Sequence, residues 1–370
     1  MNPKNAAISL LAGLVFLAST ASAADEPMAA IRSPLAPNGL MTDAALAGKR
    51  VVAVGERGHI VYSDDDGRSW QQAEVPVRSL LTAVCFADAT HGWAAGHDGT
   101  LLATVDAGAS WQLQRRQLFD AQAYEDALDA GAGGDEDAAL ADDGGEWQDE
   151  ESWEDEADGG MNAAVSRVGA PLLDVWCRDA QQVYAVGAYG LFLTTVDGGK
   201  TWEDGSDRLP NPDGWHVNAL TALPGNADTL VLVGEKGTVY RSSDGGRSFS
   251  ALRTPGEGSL FGVLAPRQDA LFAFGLQGRL YRSNDVGRSW QAVDTGITSG
   301  INDGIVLPDG SLMLGGNAGV ILRSDAGLQQ WQTQRRTDRK AVMSAVPVEG
   351  GHVLATEGGM RRAGDDGQNR

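Results

Sequence analysis

Metal ligands, nucleophile motifs and positive charge are all scarce in this chain. It has five scattered histidines and two cysteines, so no His/Cys spacing of the kind that binds zinc can be assembled. No Gly-x-Ser-x-Gly elbow and no P-loop occurs. Fifty acidic residues stand against twenty-nine basic ones, a formal net charge of −21, which argues against nucleic acid as a partner. After the first twenty-odd residues no apolar run is long enough to cross a bilayer, and helical periodicity is nearly absent, which leaves an all-β class. No metal and no cofactor is expected.

Glycine is plentiful, with 49 residues, and its placement is periodic. The stretch Val54-Gly-Glu-Arg-Gly-His-Ile-Val-Tyr-Ser-Asp-Asp-Asp-Gly-Arg-Ser-Trp70 reads as strand, tight turn, strand, polar turn and a Trp that opens a further strand. The polar turn has the form Ser/Thr-x-Asp-x-Gly-x-Ser/Thr-Trp. It occurs at Asp65 with Trp70, Asp106 with Trp111, Asp197 with Trp202, Asp244 with Phe249 and Asp285 with Trp290, and in worn form from Ser324 to Trp331. Asp can accept backbone N–H bonds from its own turn, Gly supplies positive φ, and the aromatic buries a large face where the strand resumes. These turns resemble the Asp-box (BNR) repeat. Successive Asp residues lie roughly 41 positions apart, the period of a four-stranded propeller blade. The reading is an all-β, seven-bladed β-propeller of four-stranded blades with Asp-box turns, interrupted by one long acidic disordered insertion.

Residues 1–23 read as a secretory signal: Lys4, an apolar core from Ile8 to Ala18, and Ala21-Ser-Ala23 as a small-x-small cleavage pattern. The mature chain is therefore expected outside the cytoplasm, periplasmic or lumenal, soluble or peripheral to a membrane, and monomeric. Residues 24–39 read as an arm whose segment Met28–Arg32 supplies the missing outer strand of the last blade. The propeller occupies 40–370, with blades beginning near Leu40, Ser79, Gly169, Gly214, Gly258, Ser299 and Arg339. The innermost strand of each blade is expected to be almost continuously apolar, because it faces neighbours on both sides.

The insertion, residues 117–166, holds 17 Asp or Glu and no Lys or Arg, a composition that self-repels and stays unfolded. A short amphipathic helix from Leu118 to Leu128 and two tryptophans among carboxylates, Trp147 and Trp153, suit docking to a partner. Cys85 and Cys177 fall in the inner strands of ring-adjacent blades, on either side of the insertion. Aligning Asp88 with Asp179 sets them one position out of register, on facing sheet sides. A disulfide and two buried thiols are both open.

The run Val54-Gly-Glu-Arg-Gly-His-Ile with its Asp box, and its echo Val233-Gly-Glu-Lys-Gly-Thr-Val-Tyr240, resembles the photosystem II stability/assembly factor family. The resemblance covers nearly the whole mature chain. It implies a seven-bladed propeller on the lumenal or periplasmic side of a membrane that helps a membrane-protein complex assemble. In a non-photosynthetic bacterium it implies an envelope complex such as an RND-type exporter.

Asp boxes also occur in sialidases and other glycoside hydrolases, so a carbohydrate-active propeller is the alternative. Such an enzyme needs an Arg cluster, a Tyr nucleophile and paired acids. Here Tyr62, Tyr240 and Tyr281 share one repeat position, Arg241, Arg282 and Arg323 share another, and no acidic pair stands out from the repeat. The chain therefore reads as a scaffold and not an enzyme, with no catalytic residue assigned. On the face opposite the boxes, each b–c turn has a constant glycine bracket and a variable tip: Glu56-Arg57, His97-Asp98, Ala188-Tyr189, Glu235-Lys236, Leu276-Gln277, Asn317-Ala318 and Glu357. The adjoining d–a loops carry Arg115, Arg116, Arg335, Arg336 and Arg339. Tips and arginines together form the expected partner-binding surface, and the insertion, leaving beside Arg116, is expected to fold back over the Arg patch.

Overall fold

The computed structural model describes residues 28–118, 167–364 and 367–369. The leader, residues 24–27, and the expected helix, tryptophans and Arg-patch contact of the insertion lie outside the described residues. Within them the chain folds into seven antiparallel sheets, six of four strands and the last of three. Blade one is typical: β1 (Met41–Ala47), β2 (Arg50–Gly55), β3 (Ile60–Ser63) and β4 (Gln71–Gln72) lie side by side in chain order. The other blades occupy 81–115, 172–204, 217–253, 260–292, 301–335 and 342–363.

Burial follows from this stacking, but not as the sequence suggested. The second strand of each blade is the continuously buried one, as in Arg50-Val-Val-Ala-Val-Gly55 and Val183-Tyr-Ala-Val-Gly187. The first strand is buried only in alternation, because it borders an open central channel. Side chains on the two faces of each sheet meet those of the blades before and after. The core accordingly divides into seven apolar clusters, each shared by two ring neighbours. One of them joins Met41, Val51 and Val61 of blade one to Val346, Val353 and Met360 of blade seven, and this packing closes the ring.

Closure by an N-terminal outer strand is corrected by the structure. Pro37 and Asn38 do crowd Gly359 of blade seven as Val77 and Arg78 crowd Gly58 of blade one, so the linker into blade one sits where expected. Upstream of it the arm turns away. The Ala30 amide donates to Val75 O, Gln72 bonds both Ile31 O and the Ser33 amide, and Arg32 pairs with Glu74 at 2.9 Å. All of these partners belong to blade one. In the repeat register, Arg32 on blade seven would stand opposite Arg361, a like-charge pair. The last blade, β25 (Val342–Val348), β26 (Gly351–Thr356) and β27 (Gly359–Ala363), is therefore three-stranded. A C-terminal turn adds only one bridge, Ala363 to Asn369.

Cys85 and Cys177 are bonded, with Cα atoms 5.8 Å apart. The bridge joins the inner strands of blades two and three across the point where the insertion leaves the ring.

Candidate partner-binding face

The two faces of the ring are built differently. On the box face the motif side chains satisfy one another. Thr104 Oγ1 donates to Asp106 Oδ1 at 2.7 Å and accepts the Gly108 amide at 3.0 Å. The Ser110 amide and hydroxyl then donate to Asp106 at 2.9 and 2.6 Å. The same four bonds recur around Asp65, Asp197, Asp244 and Asp285. Bonds from the Thr201 amide and hydroxyl hold Asp197 down to about 2, and the Ser242 and Ser248 hydroxyls do the same for Asp244. Trp111 and Trp290 close their turns with an indole N–H to Gly108 O and Gly287 O, both at 3.0 Å. In the worn copy Asp325 keeps only amide donors, from Gln329 and Gln330. These residues are structural.

On the opposite face every b–c tip rests on the d–a linker of its own blade. The first tip amide of each blade, from Glu56, His97, Ala188, Glu235, Leu276, Asn317 and Glu357, donates to the linker carbonyl just before the first strand, at 2.9–3.2 Å. The approach is close enough that a Cβ on Gly55, Gly96, Gly187, Gly234, Gly275 or Gly316 would strike that carbonyl, and this explains the leading glycine of the bracket. The next residue is then forced into the left-handed region. Arg57, Asp98, Tyr189, Lys236, Gln277 and Ala318 all have φ between 53° and 58°. Five of these six are exposed and Asp98 is half-buried.

This geometry sorts the expected site residues. Glu56 and Glu235 turn back to the linker: Glu56 Oε1 lies 3.4 Å from the Leu40 amide, and Glu235 accepts from the His216 amide at 2.9 Å. Asp98 accepts from Ser79 Oγ at 2.6 Å and meets Arg116 at 3.5 Å. Asn317 accepts from Asn302 at 3.0 Å, and Gln277 from Arg279 at 3.3 Å. His97 and Glu357 are exposed. Of the arginines, Arg115 clamps Gly99 O and Gln117, and its burial lowers its pKa. Arg336 leaves the patch altogether. It is 1% exposed, chelated by Asp338, donating to Gly367 O at 2.9 Å and bonded to Asn369 of the C-terminal turn. Arg335 and Arg339 stay exposed.

Two features were not anticipated. The linker from blade three to blade four runs four residues longer than most, counted from the box aromatic to the next first strand. It brings Trp215 and His216 to the tip face. There His216 meets the Tyr189 ring edge-on at 4.9 Å, Lys236 lies over Trp215 at 5.5 Å, and Asn211 bonds both the Trp215 amide and its carbonyl. The extra length was the available signal. The second feature is the channel of about 480 Å³, lined by the first strands and bearing Asp43, Asp174 and Asp303. Asp43 accepts the Val84 amide of blade two, and Asp174 the Leu220 amide of blade four, each at 2.8 Å. Burial raises Asp174 to about 7 and Asp303 to about 6. Asp43 rises through burial and the nearby charge of Asp303. Asp43 and Asp174 link blade to blade through these bonds, and Asp43 and Asp303 stand close together in the channel, both bonded to Ser344 of blade seven. Tyr240 and Tyr281 are buried and Tyr62 bonds Gln71, all as strand residues. No group of three or more His, Cys, Asp or Glu among the described residues is arranged to hold a metal, and no described helix is long and apolar enough to cross a membrane.

Residues 63–127 and 162–362 match the family profile described as photosynthesis system II assembly factor YCF48. A 57-residue stretch is 37% identical to the Photosystem II assembly protein Ycf48 of Synechococcus sp. (strain JA-3-3Ab) and 39% identical to that of Synechococcus sp. (strain JA-2-3B'a(2-13)). Each alignment covers 15% of this chain and only 17% of the relative. The fold superposes on the solved structure titled YCF48 bound to D1 peptide, with a TM-score of 0.59 and 16% identity, over 91% of this chain and 98% of that one. YCF48 from Cyanidioschyzon merolae gives 0.59 and 13% over 89% and 96%. The WD40 propeller domain of Doa1 superposes almost as well, at 0.58 and 10% identity, so these superpositions speak to the fold alone.

Proposed function

The chain belongs to the family of the photosystem II assembly factor YCF48, and from that membership we propose that it is a non-catalytic scaffold whose tip face binds a membrane-protein complex or an assembly intermediate of one. The observation that carries the reading is the contrast between faces. Box side chains saturate one another, whereas five of the six left-handed tip residues, of unlike chemistry, hold their side chains exposed. The box turns hold Asp66, Ala107, Val286 and Leu328 at the same positive φ but half-buried or buried, so the contrast lies in the side chains and not in the backbone. A related propeller solved with a D1 peptide makes a peptide-bearing partner the natural class. The centre of the surface is Tyr189, Trp215, His216 and Lys236, with Arg57, Gln277, Arg335 and Arg339 around the ring. We place the protein outside the cytoplasm. Where no photosystem exists, we assign it to an envelope complex such as an RND-type exporter.

Photo-crosslinking separates the faces. A benzophenone amino acid at Tyr189 or Gln277 should trap an integral membrane protein from envelope membranes, whereas one at Lys200 on the box face should not. Equal capture from both faces would overturn the assignment.

A further inference from the structure

Among the described residues the outer edge of blade seven is unpaired at Met360–Arg362, and its surroundings specify what fits there. In blades one, three and five the carbonyl at the start of the third strand accepts an outer-strand amide. Ile60 O takes Ala73 N, Phe192 O takes Gly205 N and Leu280 O takes Val293 N, at 2.8–2.9 Å. The equivalent carbonyl in β27 is Met360 O, and its partner is the neighbouring side chain: Arg361 Nη1 donates to it at 2.7 Å and Nη2 to Gly358 O at 2.5 Å. A guanidinium thus occupies the place of a strand. Beside it Arg362 Nε is buried without a hydrogen-bond partner. No described strand pairs with Met360–Arg362 on that side.

Blade six carries a separate opening. In blade two, Gln114 is covered by the box of blade three, donating to Gly198 O at 2.8 Å. Among the described residues no blade-seven group bonds the matching Gln334, which with Gln332, Arg323 and Asp309 walls a notch of about 320 Å³.

We propose that the outer edge of β27 is a strand-acceptor site that binds an extended, acidic segment of a partner protein by β-strand addition. Main-chain bonds to an edge supply affinity in this mode, and alternate side chains supply selectivity. An incoming amide takes Met360 O and frees Arg361, which then needs a carboxylate opposite it. That requirement excludes the chain's own arm. In register the arm would set Arg32 against Arg361, and it instead pairs Arg32 with Glu74 on blade one. The edge lies on the rim of the ring, so the site stands independently of the tip-face reading.

The test uses the mature chain and a capped, fluorescent eight-residue peptide alternating valine and glutamate, with a valine/lysine peptide as its opposite. The acidic peptide should bind at least tenfold more tightly and slow hydrogen exchange at the Met360 and Arg362 amides. Arg361→Glu should reverse the preference. Arg362→Pro should weaken both peptides while leaving the pairing with β26 intact, because that amide points outward. Two results would overturn the proposal. One is acidic-peptide binding without protection of those two amides. The other is an edge already protected in the free chain, by its own arm in a monomer or by a second copy in a dimer seen by light scattering.

Discussion

Each blade has two ends built from the same materials, a tight turn containing glycine and short polar side chains, and they use them in opposite ways. At the box end, Ser or Thr, Asp and a second hydroxyl form a closed side-chain circuit, and the turn offers its neighbour blade backbone, as Gly198 O does to Gln114. At the tip end the backbone does the closing. A linker carbonyl takes the first tip amide, glycine makes room for it, and the next residue is pushed out at positive φ. The side chain there varies because the backbone closes the turn without it, though Asp98 still bonds Ser79. The proposed function sets stability at one end and recognition at the other, and substitutions can test that division.

The disulfide should show the largest effect, because it staples the ring where the chain makes its longest excursion. Cross-linking residues 92 apart removes a denatured-state loop entropy equivalent to about 4–5 kcal/mol in the chain-entropy view. Cys85→Ala/Cys177→Ala, or the reduced protein, should therefore melt several degrees lower. An unchanged Tm would mean that the apolar seam between blades two and three suffices without it.

Within the box circuit, Thr104→Val keeps the shape and removes the hydroxyl. It leaves the buried Gly108 amide unpaired and Asp106 one donor short, a cost of about 2 kcal/mol. Urea denaturation should show a lower midpoint at an unchanged slope. A loss under ~0.5 kcal/mol would show that the circuit is decorative.

The pH dependence sets the box acids against the channel acids. Asp244 is held below its unfolded value, so its contribution is present above about pH 4 and is lost as pH falls toward 2. Asp174 and Asp303 are raised, so the folded state binds protons more readily than the unfolded one. Their contribution is present in acid and is lost as pH rises from about 4 through 6 to 7. The channel admits water, which limits the loss to about 1–2 kcal/mol. The protein should be most stable near pH 5, and Asp174→Asn should reduce the difference in Tm between pH 5 and pH 8. A wild-type Tm that climbs steadily to pH 8 would contradict this.

The seven blades and the five box circuits were legible because they repeat. A residue whose neighbours are set by the 41-residue period, such as Asp65 or Trp111, carries its environment in its own sequence. Legibility ended where a side chain answers to something outside the period. Arg336 looks like its surface neighbour Arg335, yet Asn369 and Gly367 bury it from the far end of the chain. The arm matches the strand position of blade seven in register, but one charge, Arg32, directs it to Glu74. Trp215 belongs to no repeat position at all. Asp174 looked like an ordinary strand acid because nothing in the sequence marks which face of a first strand borders the channel.

The smallest expected effect is also the sharpest test of the comparison, because its sign is reversed. A non-glycine residue in the left-handed region costs about 1 kcal/mol, and Arg57, at φ 57°, makes no hydrogen bond among the described residues that would offset this. Arg57→Gly should therefore raise stability by about 0.5–1 kcal/mol, less the entropy that glycine adds to the unfolded chain, and capture of the membrane partner should fall. Ala318→Gly is the control: it relieves the same strain but removes only a methyl group, so Tm should rise slightly with capture unchanged. Ala107→Gly relieves the same strain at the box end, where capture should not change. If Arg57→Gly instead lowers Tm, the tip side chain is part of the packing and the two ends of the blade are not divided as described. If stability rises and capture is unaffected, the tip face is not where the partner binds.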